Sequence, residues 1–238
     1  MPRRVFGVVF WVEVGFFGGF HKMFEAIAVA FEAGGPNMFV ILAIGIFMWG
    51  IIIERLIVLY FKANVDKDGF MRVLTKYILV GDLRNALKLC SISKFPLAKI
   101  IQAGLMKAKE SDAAVQAAMD EAALREVPRI EKRIGFLAVI GNVGVLAGLL
   151  GTIFGLIASF GAAATADAAT KATKLAEGIS EAMYNTAFGL GVAILASIFY
   201  AFYQAKAQSL VDTINEGTVT TLNLITANRD KFDDKVSE

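Results

Sequence analysis

The chain has 238 residues, of which 56% are hydrophobic and only 19% are charged; this composition is too apolar for an ordinary soluble domain and predicts a membrane protein. The formal net charge is +2, and the basic residues are not clustered, which excludes a nucleic-acid-binding face. The single cysteine, Cys90, and the single histidine, His21, exclude an intramolecular disulfide and a zinc site, and we predict no cofactor and no enzymatic activity.

Residues 1–36 begin with a basic and then apolar stretch that Glu13 interrupts. We predict a periplasmic segment with a helix lying on the membrane surface, rather than a cleaved signal peptide. Residues 37–61 then supply about two dozen mainly apolar residues, enough for a first transmembrane helix. Near its end, Glu54 and Arg55 are expected to reach the lipid headgroups, and a functional charge within the membrane is the alternative.

Residues 62–133 have a different composition, with charges throughout and apolar residues at helical spacing. This pattern predicts a water-exposed domain made only of helices. Ser111 is expected to cap its last helix, which would enter the next hydrophobic segment with little or no break and with a kink at Pro128.

Residues 134–163 form thirty consecutive uncharged positions, IGFLAVIGNVGVLAGLLGTIFGLIASFGAA. As a helix they would extend roughly 45 Å, more than the ~30 Å hydrocarbon core, and they predict the second transmembrane helix. Its small residues recur every three or four positions along one stripe, which predicts close helix packing, and we expect this stripe to hold subunits of an oligomer together. The stripe consists of Gly141, Gly144, Gly148, Gly151 and Gly155.

A polar link at 164–178 leads to a third hydrophobic helix at 179–203 and to a tail at 204–238 that continues this helix. Lys and Arg number fourteen in 62–133 but two in the link. The positive-inside rule therefore places the helical domain and the tail in the cytoplasm, with the N-terminus and the link outside.

Polar side chains interrupt both of the last two hydrophobic segments. Thr152 lies within the second, and Glu181, Asn185 and Thr186 lie at the start of the third, where Gly189 adds a second small-residue position for packing. Thr152 could bond only to a carbonyl of its own helix, and Glu181 could simply reach water. If Thr152 and Thr186 instead converge below Glu181, they form a weakly polar lining suited to an ion path and too poor in ligands for a metal.

Two motifs recur in this order: G-L-L-G-T-x-x-G-x-I in the second helix and G-I-x-E-A-x-x-x-T-A-x-G-L in the third. With a first helix ending in IIIERLIVL and a helical domain between, the chain resembles the MotA/TolQ/ExbB family of ion-channel motor subunits, closest to the TolQ and ExbB branch. The resemblance covers roughly residues 38–210.

The resemblance implies a homopentameric ring in the bacterial inner membrane, with the second and third helices lining a pore. The pore would hold the single transmembrane helices of an ExbD-like or TolR-like partner, whose aspartate takes up the ion, and Thr152, Thr186 and Glu181 would line the path. Ion flow, most simply of protons, would drive a TonB-like, TolA-like or gliding-type apparatus. A sodium-driven stator and a structural scaffold that does not conduct are the alternatives.

Overall fold

The computed structural model describes residues 31, 33–62, 67–93 and 95–233. The helix expected within 1–36 lies almost entirely outside these ranges. The described residues are helical and contain no strand, which confirms the predicted all-α class. Three helices are long and apolar enough to cross a membrane, as predicted.

The helices in chain order are α1 Asn37–Leu56, α2 Lys67–Val80, α3 Leu83–Ile92, α4 Pro96–Met106, α5 Asp112–Glu131, α6 Ile134–Ala164, α7 Lys171–Ala227 and α8 Asp230–Asp233. A π-helical turn, Ile57–Lys62, follows α1. Helix α7 runs for 57 residues, so the third hydrophobic segment continues unbroken into the tail, as its sequence predicted.

The chain divides into two compact units, which we describe separately. The first consists of the described residues up to Met48 together with Val139–Ala196, and the second consists of Trp49–Ala138 with the chain from Ser197 onwards. The three long helices contribute residues to both units because each crosses a unit boundary in sequence.

The second unit contains helices α2 to α5, and local signals explain their ends. Asp82 caps α3 by accepting a hydrogen bond of 3.0 Å from the amide of Asn85, and Ser111 caps α5 in the same way through Ala114 at 3.2 Å. Gly81, at φ 75°, makes the left-handed turn between α2 and α3. The apolar faces of these helices form a core whose fully buried side chains include Leu74, Ile78, Ile100, Ile101, Leu105 and Met119.

Two residues, Lys132 and Arg133, separate α5 from α6, which agrees with the expectation of little or no break between these segments. Helix α5 passes through Pro128 and ends at Glu131, and α6 begins at Ile134. Arg133 between them has a φ of 67°, which is a left-handed conformation that no α-helix can contain. The helix is therefore interrupted at Arg133, whereas it continues through Pro128.

The charged pair at the end of α1 stabilises this break. The Glu54 carboxylate accepts hydrogen bonds from Arg133 at 2.6 Å and from Arg55 at 3.1 Å. Arg55 is only 3% exposed, and its Nη1 donates to the carbonyl of Ile130 at 3.3 Å, a group that the end of α5 leaves without a helical partner. Contrary to the expectation from sequence, the Arg55 side chain is therefore buried against Glu54 and Ile130 and does not extend to the lipid headgroups.

The only cysteine offers a test of this core. Cys90 is 1% exposed on α3, and burial raises the pKa of its thiol to about 12. Since the thiolate is the reactive form, we expect a water-soluble maleimide at neutral pH to leave Cys90 unmodified until the protein is denatured.

The neighbouring position provides a matched control, because Ser91 is exposed on the same helix. In a Ser91→Cys variant, the new thiol should react with the maleimide while Cys90 in the same protein stays unmodified. Mass spectrometry of the labelled protein measures both. Rapid modification of Cys90 in the native protein would contradict the described packing.

Candidate functional site

Helices α6 and α7 meet backbone to backbone within the first unit. A methyl group placed on Gly189 would lie 2.5 Å from the carbonyl oxygen of Gly144 and 2.9 Å from the Cα of Gly148. A methyl group on Gly155 would lie 3.1 Å from the Cβ of Ala182. Such contacts are possible only because these positions carry no side chain or a small one.

This contact corrects the expectation that the glycine stripe joins separate subunits. Gly144, Gly148, Gly151 and Gly155 all face α7 of the same chain, and Gly141 is also buried. The three-to-four-residue spacing correctly indicated a close helix neighbour. It did not indicate which helix, because the period describes one face and not the identity of its partner.

The two threonines predicted to converge do so in the structure. The hydroxyl oxygen of Thr152 on α6 is hydrogen-bonded to that of Thr186 on α7, and either atom can be the donor. Both side chains remain partly exposed. Glycines on the flanking turns, Gly148 and Gly155, bring the helix backbones close enough for two short side chains to meet.

Thr152 also bonds to backbone carbonyls, as the simpler interpretation of its sequence predicted. Its Oγ1 lies 3.0 Å from the carbonyl oxygen of Gly148, one turn earlier in α6, and 3.4 Å from that of Ala182 on α7. A hydroxyl has one proton and two acceptor sites. When Thr152 donates to Gly148, it can therefore still accept a hydrogen bond from Thr186.

Glu181 lies at the edge of an open groove, one turn along α7 from this pair. The groove has a volume of about 800 Å³ and is lined by small residues together with Lys174, Glu177, Ser180 and Glu181. A carboxylate oxygen of Glu181 touches Gly35, whose φ of 67° and missing side chain allow the close approach. The Glu181 side chain is partly exposed beside this groove.

Two further polar residues in this helix pair were not assigned a role by the sequence reasoning. Asn185 is completely buried against Gly151, and Ser159 is 4% exposed and lies against Gly178. Asn185 was noticeable as a polar residue in an apolar segment, but nothing in the sequence gave its neighbour. Ser159 resembles the many serines that bond to their own helix, as it does to the carbonyl of Gly155 at 2.9 Å.

The arrangement has the chemistry of a hydrogen-bonding surface. No group of three or more His, Cys, Asp or Glu side chains that could hold a metal ion occurs in the part of the chain that the structure describes. The helix pair presents the two hydrogen-bonded hydroxyls of Thr152 and Thr186, and the Glu181 carboxylate lies nearby along α7. Such groups can stabilise a carboxylate or a hydrated ion passing over them.

A family model matches the part of the chain that contains this site. The model of the MotA/TolQ/ExbB proton channel family matches residues 92–216, which is more than half of the chain. The chain belongs to this family. The matched range includes Thr152, Glu181 and Thr186, together with the whole contact between α6 and α7.

Relatives of this MotA/TolQ/ExbB protein come from both named branches. Over 97 residues it is 41% identical to the Tol-Pal system protein TolQ of Pseudomonas aeruginosa, a match covering 41% of the chain and 42% of that relative. It is 28% identical over 201 residues to the biopolymer transport protein ExbB of Salmonella typhimurium, covering 77% and 81% respectively. An ExbB homolog of Methanothermobacter thermautotrophicus is 27% identical over 194 residues, covering 81% and 68%. The chain thus spans about two fifths of the length of the Pseudomonas protein.

Two glycines of α7 allow a matched test of the helix contact. Gly189→Ala should displace α6 from α7, because its methyl group would meet backbone atoms, which cannot move aside independently. Overpacking of this kind costs about 1–3 kcal/mol. We expect a lower melting temperature and a lower yield of the detergent-solubilised protein.

Gly191→Ala provides the control, since no atom lies within 4 Å of its added methyl group. It carries the same substitution two residues away on the same helix, and we expect wild-type stability. Equal stability of the two variants would contradict the backbone contact.

Proposed function

We propose that the chain is the ring-forming subunit of an inner-membrane motor driven by ions, most simply protons, and that Thr152 and Thr186 line the ion path. The observation that carries the proposal is the hydrogen bond between their hydroxyls across α6 and α7. Membership of a proton channel family and relatives named TolQ and ExbB support the same function.

The proposed partner is an ExbD-like or TolR-like subunit with one transmembrane helix and a carboxylate facing the threonine pair. In a low-dielectric passage an ionised carboxylate is unstable unless donors hydrogen-bond to it. Thr152 and Thr186 would supply such donors when the carboxylate releases its proton. Glu181, beside the open groove, would attract cations at the mouth of the path.

Oligomerisation is proposed from the outward faces of the spanning helices. On α6, Leu146, Ile153, Ile157 and Phe160 each expose more than half of their surface. The glycine stripe is occupied by α7, so these larger side chains remain for lipid and for neighbouring subunits. A pentamer is the number that the family resemblance implies. The work would be done on a periplasmic, outer-membrane or cell-surface apparatus.

Removing both hydroxyls tests the path. Thr152→Val combined with Thr186→Val keeps the side-chain shapes and removes the hydrogen-bonding groups. A hydrogen bond to a charged group contributes about 1.5–3 kcal/mol, so we expect proton flux in vesicles carrying the complex to fall roughly tenfold or more. Glu181→Gln, assayed in the same way, should reduce flux without affecting assembly.

Thr165→Val serves as the matched control, because Thr165 is exposed outside the helix pair. Each variant must copurify with the partner as the wild type does, which separates loss of conduction from loss of assembly. An assembled double variant with wild-type flux would reject the threonine path. Assembled wild-type complexes that carry no flux at all would favour the structural scaffold.

The proposed orientation has the N-terminus and the α6–α7 link outside, as the distribution of Lys and Arg predicts. A cysteine introduced at Ala168 in the link should react with a membrane-impermeant maleimide in intact cells, and one at Ser111 should react only after permeabilisation. Buried Cys90 gives no background in either case. The reverse pattern would overturn the orientation and the mechanism proposed with it.

A further inference from the structure

The glycine stripe by itself does not determine how α6 and α7 are aligned. It offers a glycine on every turn, at 144, 148, 151 and 155, so a shift of α7 by one turn, about 5.4 Å, would again bring glycines into contact. Such a shift would separate the hydroxyls of Thr152 and Thr186. Residues outside this stripe must therefore select the observed alignment, and Gly189 on α7, whose missing side chain admits the backbone of α6, is one of them.

We infer that Asn185 and Ser159 are positioning residues: each fills the space of a glycine on the opposite helix, and together they fix the alignment that joins Thr152 to Thr186. Asn185 projects from α7 onto Gly151, and Ser159 projects from α6 onto Gly178. That this alignment matters for ion flow rests on the proposed function. The inference that the two residues fix the alignment does not depend on that function.

Asn185 provides the first contact. A methyl group on Gly151 would lie 2.8 Å from the Cβ and 2.9 Å from the Cγ of Asn185, so the asparagine occupies the space beside this glycine. The neighbours of Gly148, in contrast, are backbone atoms of Asn185, Thr186 and Gly189. Only the contact at Gly151 thus depends on the side chain at position 185.

Because Asn185 is polar, it favours one alignment of the helices more specifically than an apolar side chain that only packs. The side chain is fully buried, its Nδ2 donates to the carbonyl of Glu181 at 3.1 Å, and its Oδ1 has no hydrogen-bond partner. Burying an unpaired acceptor destabilises the helix pair relative to an apolar residue of the same size. Selecting one alignment at some cost in stability is the best-attested use of buried polar residues between helices.

Ser159 provides the second contact and excludes a shift. A methyl group on Gly178 would overlap its Oγ and lie 2.8 Å from its Cβ. One turn from Gly178 in either direction, α7 carries Lys174 and Leu175 or Glu181 and Ala182. A shifted α7 would therefore bring a larger residue against Ser159, whereas Asn185 alone would find another glycine on α6.

A disulfide between Thr152→Cys and Thr186→Cys reports the alignment without any assay of ion flow. The two hydroxyls are in hydrogen-bond contact, so thiols in their places should oxidise readily. Counting free thiols after denaturation gives the bonded fraction, with Cys90 as a constant background. With diamide added as the two-electron oxidant, we expect Gly151→Ala, and independently Gly178→Ala, to slow disulfide formation several-fold. Gly161→Ala, which meets no atom within 4 Å, should leave it unchanged.

Exchanging the two members of each contact tests its specificity. Because the Cβ atoms themselves collide, Asn185→Gly should restore disulfide formation to the Gly151→Ala protein, and Asn185→Ala should not. Ser159→Gly and Ser159→Ala should behave likewise with Gly178→Ala. We expect disulfide formation to be restored at each contact by the exchange to glycine and not by the exchange to alanine. Such a result would show that the two residues of each contact are energetically coupled, which general destabilisation does not produce.

The inference is overturned if Gly151→Ala and Gly178→Ala form the disulfide at the wild-type rate, or if the exchanged pairs are no better than the single variants. Ion flux measured on the Gly151→Ala and Gly178→Ala proteins with Thr152 and Thr186 left intact addresses the proposed function separately. If the disulfide follows the expected pattern while flux stays at the wild-type level throughout, the alignment stands and the threonine path is rejected.

Discussion

The close approach of the α6 and α7 backbones is the constraint on which the described part of the membrane-spanning unit depends. Two apolar helices in lipid gain little from hydrophobicity, since the lipid tails are equally apolar, so van der Waals contact and hydrogen bonds must hold them together. Glycine at positions 144, 148 and 189 allows that contact. The same approach brings two short hydroxyl side chains within bonding distance, which longer side chains at the interface would prevent.

The hydroxyl groups of the helix pair and the buried charges of the second unit are accommodated by different means. In the helix pair, threonine and serine hydroxyls bond to carbonyls of their own helices and so remain compatible with an apolar medium. In the second unit, Glu54 pairs with two arginines, and Arg55 also satisfies a carbonyl left free where α5 ends. The buried arginine is tolerated there because the Glu54 carboxylate balances its charge and the Ile130 carbonyl accepts a hydrogen bond from its guanidinium.

Several features were predictable because they depend only on residues near one another in sequence. The caps at Asp82 and Ser111, the length of the three apolar helices and the extension of α7 all follow from local composition and spacing. The left-handed conformation of Arg133 was not predicted, because arginine gives no local signal for it. The Arg133 side chain pairs with a carboxylate on α1, far away in sequence. The proline at 128, a strong local signal, turned out to be accommodated within α5.

The sequence by itself determined the helical class, the three spanning segments, the family resemblance and the presence of a tightly packed glycine face. Those properties follow from the amino-acid composition, the helical periodicity and the order of the motifs. Only the tertiary structure decided that the glycine face meets α7 of its own chain, that Thr152 meets Thr186, and that Asn185 and Ser159 oppose Gly151 and Gly178. The physical reason is that a helical period specifies which residues share a face. The partner of that face and its alignment depend on residues about twenty to forty-five positions away.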